Sequence, residues 1–279
     1  MGRSGTSIVT KLLAELGLFV GKKKNPITYE AQFFQMINKW LLASCGGGLE
    51  HPTSIRHLLR DSQVRAIVTD FIRFVLRTPK SISFLGLWNY VNYHTPENLN
   101  LPWGWKDPRT TFTLPLWLDI FPSARVIHVY RHGVDVANSL KVGHEKIVTT
   151  IQTRLRRFGC LYQLYWLWKH LPRRRELIEV RTSTMEGAFS LWEEYIAEAR
   201  NHVGHLRERA IEIQFEHLME EPMQILKQSA EFCELSVTCA LLQKVSGMIR
   251  RERAYAYETD EELKDFSVNV HTQLSRYGY

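Results

Sequence analysis

Cysteine is scarce in this sequence. Cys45, Cys160, Cys233 and Cys239 are scattered, with no CxxC pair and no histidine at zinc-ligand spacing, so no metal site is expected. A chain of 279 residues builds a core without disulfides, so reduced, buried thiols are the expectation. Long apolar runs are missing too. No uninterrupted apolar stretch reaches the roughly 18 residues that a membrane-crossing helix needs. The chain opens on Met1-Gly2-Arg3-Ser4 rather than on a basic and then apolar run, so no secretory signal is expected. A cytoplasmic location follows as an expectation, with an upstream anchor still compatible. Internal repeats and low-complexity segments are absent as well, which leaves out solenoids and arrays.

What is present is ordinary globular material. Apolar residues make up 44% of the chain and charged residues 23%, which excludes wholesale disorder. Lysine and arginine number 36 against 29 aspartate and glutamate, a net charge of +7. That excess favours anionic ligands weakly and does not by itself argue for nucleic acid. The length suits one large α/β domain or two modest ones.

Periodicity predicts helices over Thr6–Leu16, Tyr29–Ala43, Ser54–Leu76, Thr110–Phe121, Val134–Leu140 and Pro222–Glu234. It predicts strands at Arg125–Tyr130 and Ala210–Phe215, with a short one at Trp103–Lys106. Residues 85–102 show no clear period and read as a surface loop. Strand, tight turn and helix around Tyr130–Val134 form the βα unit of a parallel sheet. The Arg173-Arg174-Arg175 run reads most simply as a solvated helix end or loop.

Three motifs carry candidate chemistry. The first, Gly2-Arg3-Ser4-Gly5-Thr6-Ser7, runs straight into a helix. Its glycines permit a tight turn with inward N–H groups, and the helix N-terminus adds about half a positive charge. Thr6 and Ser7 bring hydroxyl donors, and Arg3 brings a planar fork for oxyanions. This is a phosphate cradle in chemical terms but not a Walker A loop, which needs a lysine before its hydroxyl residue. The same residues also fit a glycine turn capped by Ser4 or Thr6. The second motif places Arg131 at a strand end and Ser139 on the following helix. Ligands bind outside the carboxyl ends of parallel strands, so the two could share one phosphate. Alone, Arg131 fits a surface ion pair equally well. The third, Trp103-Gly104-Trp105-Lys106-Asp107-Pro108-Arg109-Thr110, flanks a rigid turn with two cations, and it also fits solvated turn charges with Thr110 as a helix cap.

The order of these motifs resembles the sulfotransferase family that uses 3′-phosphoadenosine 5′-phosphosulfate (PAPS). Ile213-Gln214-Phe215-Glu216-His217-Leu218, with Glu221-Pro222 after it, resembles the family's Tyr-Glu-Asp-Leu strand and acidic-Pro helix. The stretch from Leu16-Gly17-Leu18 to Phe34 and the Trp117 helix are similar to bacterial and carbohydrate-type members. The resemblance implies an α/β fold, a single P-loop-like domain over 1–279 with a central parallel sheet flanked by helices, and 236–279 as a C-terminal helical extension. It also implies that Gly2, Arg3, Ser4, Gly5, Thr6 and Ser7 hold the 5′-phosphosulfate. Arg131 and Ser139 take the 3′-phosphate, and Lys106 stands beside the reaction centre with Arg109 as the other cation of its turn. PAPS would be co-substrate, adenosine 3′,5′-bisphosphate (PAP) the product, and a glycan, phenol or other hydroxyl or amine compound the acceptor. No metal is needed in principle, because Arg3 and Lys106 supply positive charge to an in-line sulfonate transfer.

A general base must take the acceptor's proton. Cytosolic members have a histidine just after the lysine, where this chain has Asp107-Pro108-Arg109. Others use a glutamate after the first helix, which points to Glu30, with glutamine at the nearby Gln35. Glu30 also fits a solvated helix-start charge. Asp107, between two cations, should have a lowered pKa and be the weaker base. Phe215 stands where the family usually has tyrosine, and its basic Gly-rich C-terminal loop is not evident; Arg250, Arg251 and Arg253 suit either that role or an exposed helix end. Lys22-Lys23-Lys24 suits either an acidic acceptor or a solubilising turn. Trp88, Tyr90, Tyr93, Trp103 and Trp105 suit either ring stacking on an acceptor or the core. A phosphate loop of this kind should follow a buried apolar strand, yet only Met1 precedes Gly2, so a longer form with an upstream apolar run is expected to bind donor better. The competing readings are a non-catalytic nucleotide-binding scaffold and a P-loop nucleotide kinase.

Overall fold

A computed structural model of the chain describes residues 1–170, 179–249 and 255–279, the side chains of Lys169 and His170 aside. The Arg173–Arg175 run and Arg250, Arg251 and Arg253 lie outside the described residues. The described backbone is a mostly helical α/β arrangement with a small parallel sheet of two strands. In chain order it gives α1 (Thr6–Glu15), α2 (Gln32–Ser44), α3 (Ile55–Arg60), α4 (Ser62–Arg77), α5 (Ile82–Leu85) and α6 (Leu87–Tyr93). Then follow α7 (Thr110–Ile120), β1 (Val126–Tyr130), α8 (Gly133–Phe158), α9 (Cys160–His170), α10 (Met185–Leu206) and β2 (Ala210–Gln214). The chain continues through α11 (Phe215–Glu220), α12 (Pro222–Phe232), α13 (Cys239–Ser246), α14 (Glu261–Asn269) and α15 (His271–Ser275). Two compact units divide it: Met1–Arg131 with Tyr195–Tyr255, and His132–Glu194 with Ala256–Tyr279.

In the first unit β1 and β2 run parallel, Val126 opposite Ala210 and Tyr130 opposite Gln214. Their β-branched residues suit a pleated, half-buried surface. Val129 and Ile213 share one buried cluster with Val9, Leu12, Leu13 and Leu16 of α1 and with Leu218 and Leu226 of α11 and α12. The α1 members recur every three or four residues, one stripe of a helix, and burying each leucine contributes about 1.5–3 kcal/mol. That stripe fixes where α1 begins, beside the carboxyl ends of the two strands. An aromatic cluster forms a second core. Phe34 stacks on Trp105 with ring centroids 4.0 Å apart and meets Phe84 and Trp117 edge-on. Trp103 and Trp105 therefore belong to the core, whereas Trp88 is exposed.

Several sequence expectations need correction. The stretch over Ser54–Leu76 breaks at Asp61, whose carboxylate accepts the Gln63 and Val64 N–H groups at 3.0 Å and starts a new helix. Residues 85–102 contain α6, whose side chains are all at least partly exposed and so leave no apolar period to read. Trp103–Lys106 makes one parallel bridge, from Phe19 to Trp103, and no strand. Past Gly104 the chain turns instead into the side-chain contacts of residues 105–110. Phe215–Leu218 opens a helix, because Phe215, Leu218 and Met219 bury together at helical spacing. Helix α8 runs on to Phe158, its later part polar and supported by pairs such as Lys141 with Glu145. All four cysteines are free thiols, but Cys160 and Cys239 are exposed because each begins a surface helix. Burial pushes the half-buried Cys233 thiol up to about 11.

In the second unit the start of α8 is tied to the C-terminal segment. The Asp135 carboxylate accepts the Tyr257 N–H at 2.8 Å and the Ala256 N–H at 3.2 Å. His132 stacks on Tyr257, centroids 4.1 Å apart, and Phe189 and Trp192 of α10 are buried against Phe266 and Tyr277.

Candidate active site

The Gly2–Ser7 turn sits at the carboxyl end of the two-strand sheet. Backbone at Arg3 (φ 67°) and Gly5 (φ 84°) is left-handed, which curls the turn tightly. Glycine adopts that conformation freely, while a residue such as arginine does so at a cost of about 1–2 kcal/mol. Gly5 has a steric reason as well. A Cβ there would lie 2.1 Å from the Phe215 ring. The Ile8 and Val9 N–H groups donate to the Gly5 carbonyl (3.0 and 3.2 Å), while those of Thr6 and Ser7 at the open helix end make no backbone hydrogen bond among the described residues. The Ser4 hydroxyl is buried and has no partner among the described residues. Arg3 is exposed. An orphan hydroxyl, open N–H groups and a nearby cation are a donor set that fits a phosphate or sulfate.

Phe215 links this turn to Arg131. The Arg131 guanidinium lies over the Phe215 ring, 4.9 Å from its centroid, so the ring serves as a platform even without a tyrosine hydroxyl. Pro108 touches the turn from another direction, its Cγ 3.9 Å from where a Gly2 Cβ would stand. The turn, the Lys106–Arg109 segment and Arg131 thus meet in the first unit. Ser139 lies half-buried on α8 in the second unit.

Two carboxylates meet the cations of the Lys106–Arg109 segment, Glu30 from outside it and Asp107 from within. Glu30 Oε1 pairs with Lys106 Nζ at 3.0 Å, and Gln35 Nε2 donates to Glu30 Oε2. Both partners of that ion pair keep 13% of their side-chain surface. Asp107 keeps 1%. It accepts the Arg109 N–H and Nη1–H at 3.0 Å and the Asn38 Nδ2–H at 3.1 Å. Burial raises the Asp107 pKa, and Arg109 and Asn38 pull against it. The expected lowering is thus reversed, because desolvation outweighs the neighbouring cations. Arg109 is likewise held inside by Asp107 rather than facing outward as a second anion-binding cation. Thr110 does not cap α7. Its hydroxyl accepts from Asn38 and Trp105, while Asp107 closes the turn.

Asn38 has no place among the residues that the sequence patterns single out, and Gln35 stands there only as the glutamine near Glu30. Asn38 is fully buried. Its amide reaches Asp107 and Thr110, and its Oδ1 accepts from Thr113 and Trp117, both at 2.8 Å. An asparagine at the core spacing of Phe34 and Leu41 is the signal that finds it. A further cluster joins the strands. His128 Nδ1 bonds Glu212 at 2.8 Å, and Arg200 lies over Tyr130 with its Nε 3.5 Å from Glu212. Burial lowers the His128 pKa, and the hydrogen bond from His128 lowers that of Glu212, which fits a neutral imidazole donating to a carboxylate.

No curated protein and no solved structure matches the chain significantly. A family match does: residues 1–181 fit the sulfotransferase family, well over half of the sequence and the part that holds the turn, Glu30, Lys106, Arg131 and Ser139. The chain belongs to the sulfotransferase family.

Proposed function

We propose that this chain moves a sulfonate group from PAPS to a hydroxyl or amine of a carbohydrate or small-molecule acceptor. The observation that carries this reading is the Gly2–Ser7 turn with its unpartnered Ser4 hydroxyl, packed on the same Phe215 ring as Arg131. In this reading the turn's N–H and hydroxyl groups hold the 5′-phosphosulfate, and Arg131 with Ser139 holds the 3′-phosphate. Arg3 and Lys106 neutralise charge on the bridging and leaving oxygens. Glu30, fixed by Lys106 and Gln35, takes the acceptor's proton. The acceptor oxygen or nitrogen bonds to sulfur as the bridging S–O bond breaks, and that electron pair stays on the phosphate of PAP.

The test is transfer of labelled sulfonate from PAPS to a panel of glycans, phenols, alcohols and amines. Label on an acceptor, with PAP released in equal amount, is the expected result. Tight PAP binding with no acceptor ever labelled would favour a non-catalytic nucleotide-binding protein.

A further inference from the structure

The second unit carries a surface that the sulfotransferase reading leaves unused. Helix α9 follows α8 through a sharp turn at Gly159, and its apolar side chains are largely uncovered. Leu161 is 68% exposed, Leu164 58% and Trp168 72%, with Phe158 at the hairpin tip 49% exposed. Single exposed apolar residues are normal on a surface, but a contiguous set of this kind marks an interaction site.

The charges within this stretch of sequence are of one sign. From Lys146 to His170 the sequence holds five lysines and arginines and no aspartate or glutamate. Arg157 lies over the Phe158 ring at 5.3 Å and Arg154 over Tyr162 at 6.0 Å, so cations stand beside the aromatic groups. Lys146 and Arg154 also line a shallow groove of about 280 Å³ with Ile147, Thr150, Ile151 and Tyr162. No described helix is long and apolar enough to cross a membrane. The 11 residues of α9 extend only about 16 Å, half of a hydrocarbon core of about 30 Å. Such a helix lies along an interface, where tryptophan and tyrosine rings sit at headgroup level and basic side chains meet anionic lipid.

We propose that the α8–α9 hairpin docks on an anionic lipid surface, inserting Phe158, Leu161, Leu164 and Trp168 while Lys146, Arg154 and Arg157 meet headgroup phosphates. A second copy of the chain is the poorer occupant, because a self-pair would bring two stretches without any acidic residue against each other.

The test is flotation of the whole chain with vesicles of phosphatidylcholine mixed with phosphatidylserine, against phosphatidylcholine alone. Binding to the mixed vesicles only, weakening as salt is added, is expected. Replacing Leu164→Asp and Trp168→Asp together lowers the apparent affinity about a hundredfold. A second variant, Arg154→Glu with Arg157→Glu, keeps the apolar residues and lowers it at least about tenfold. Far-ultraviolet circular dichroism checks that both variants fold. A chain that stays unbound in the presence of anionic vesicles overturns the proposal, as do variants that float like the parent. A lipid-free dimer that Leu164→Asp and Trp168→Asp dissociate would assign the surface to a second copy instead. Vesicle binding needs no turnover, so its failure leaves the sulfotransferase reading standing.

Discussion

Lys106 and Asp107 are neighbours in one turn, yet their surroundings differ. Lys106 meets Glu30 in a pair that keeps some exposure and touches nothing else charged among the described ion pairs. Asp107 is enclosed, with three hydrogen bonds that tie it to Arg109 and to the Asn38 network beneath α7. A carboxylate that accepts hydrogen bonds at both oxygens in a dry, enclosed site is scaffold. One held at both oxygens but still reachable is suited to exchange a proton. The comparison separates residues that shape the site from residues that act in it, although the sequence presents all of them as one short charged motif.

Substitution should pull the two sides apart. Glu30→Gln should reduce turnover by about 10²–10⁴-fold with PAP affinity and melting temperature intact. Unchanged turnover in steady-state assays would move the base elsewhere. Asp107→Asn should act on the fold, removing about 3–5 kcal/mol of stability by leaving Arg109 buried without its countercharge. Denaturant unfolding checks this, and a drop in turnover with full stability would contradict it. Lys106→Ala should lower turnover by about 10²–10³-fold with little change in the unfolding midpoint.

Titration gives a smaller contrast. His128 and Glu212 have lowered folded pKa values, so below the ordinary histidine value of 6.5, and then that of glutamate, the unfolded chain binds more protons than the folded one. Their contribution is present above those values and is lost as pH falls. Asp107 is raised and acts with the opposite sign, its burial costing stability as pH rises through its folded pKa. The melting temperature should therefore fall between about pH 7 and about pH 5, and His128→Asn should flatten that slope. A slope unchanged by the substitution would remove His128 from this role.

Much of the frame was legible beforehand. The stripe at Val9, Leu12, Leu13 and Leu16 and the β-branched runs at Val126–Tyr130 and Ala210–Gln214 declare their periods, and the glycine turn and Arg131 stand beside them. Less legible were elements whose side chains stay outside. Helix α6 has no buried face, and the later part of α8 is polar, so neither offers an apolar repeat. Within the site, sequence chose Glu30 and Lys106 but could not show that Gln35 holds Glu30 or that Arg109 turns inward to Asp107. Those two contacts are local in sequence, but the positions they join are held by long-range partners, Lys106 for Glu30 and Asn38 for Asp107, about 70 residues away and not written in the local pattern.

The most direct test is calorimetric titration of PAP and of adenosine 5′-phosphate into the parent chain and into Arg131→Ala. PAP should bind the parent more tightly, and Arg131→Ala should weaken PAP by about 1.5–3 kcal/mol while barely changing the nucleotide that lacks the 3′-phosphate. Equal losses for both nucleotides, or no preference for PAP in the parent, would contradict a site built around a 3′-phosphorylated sulfonate donor.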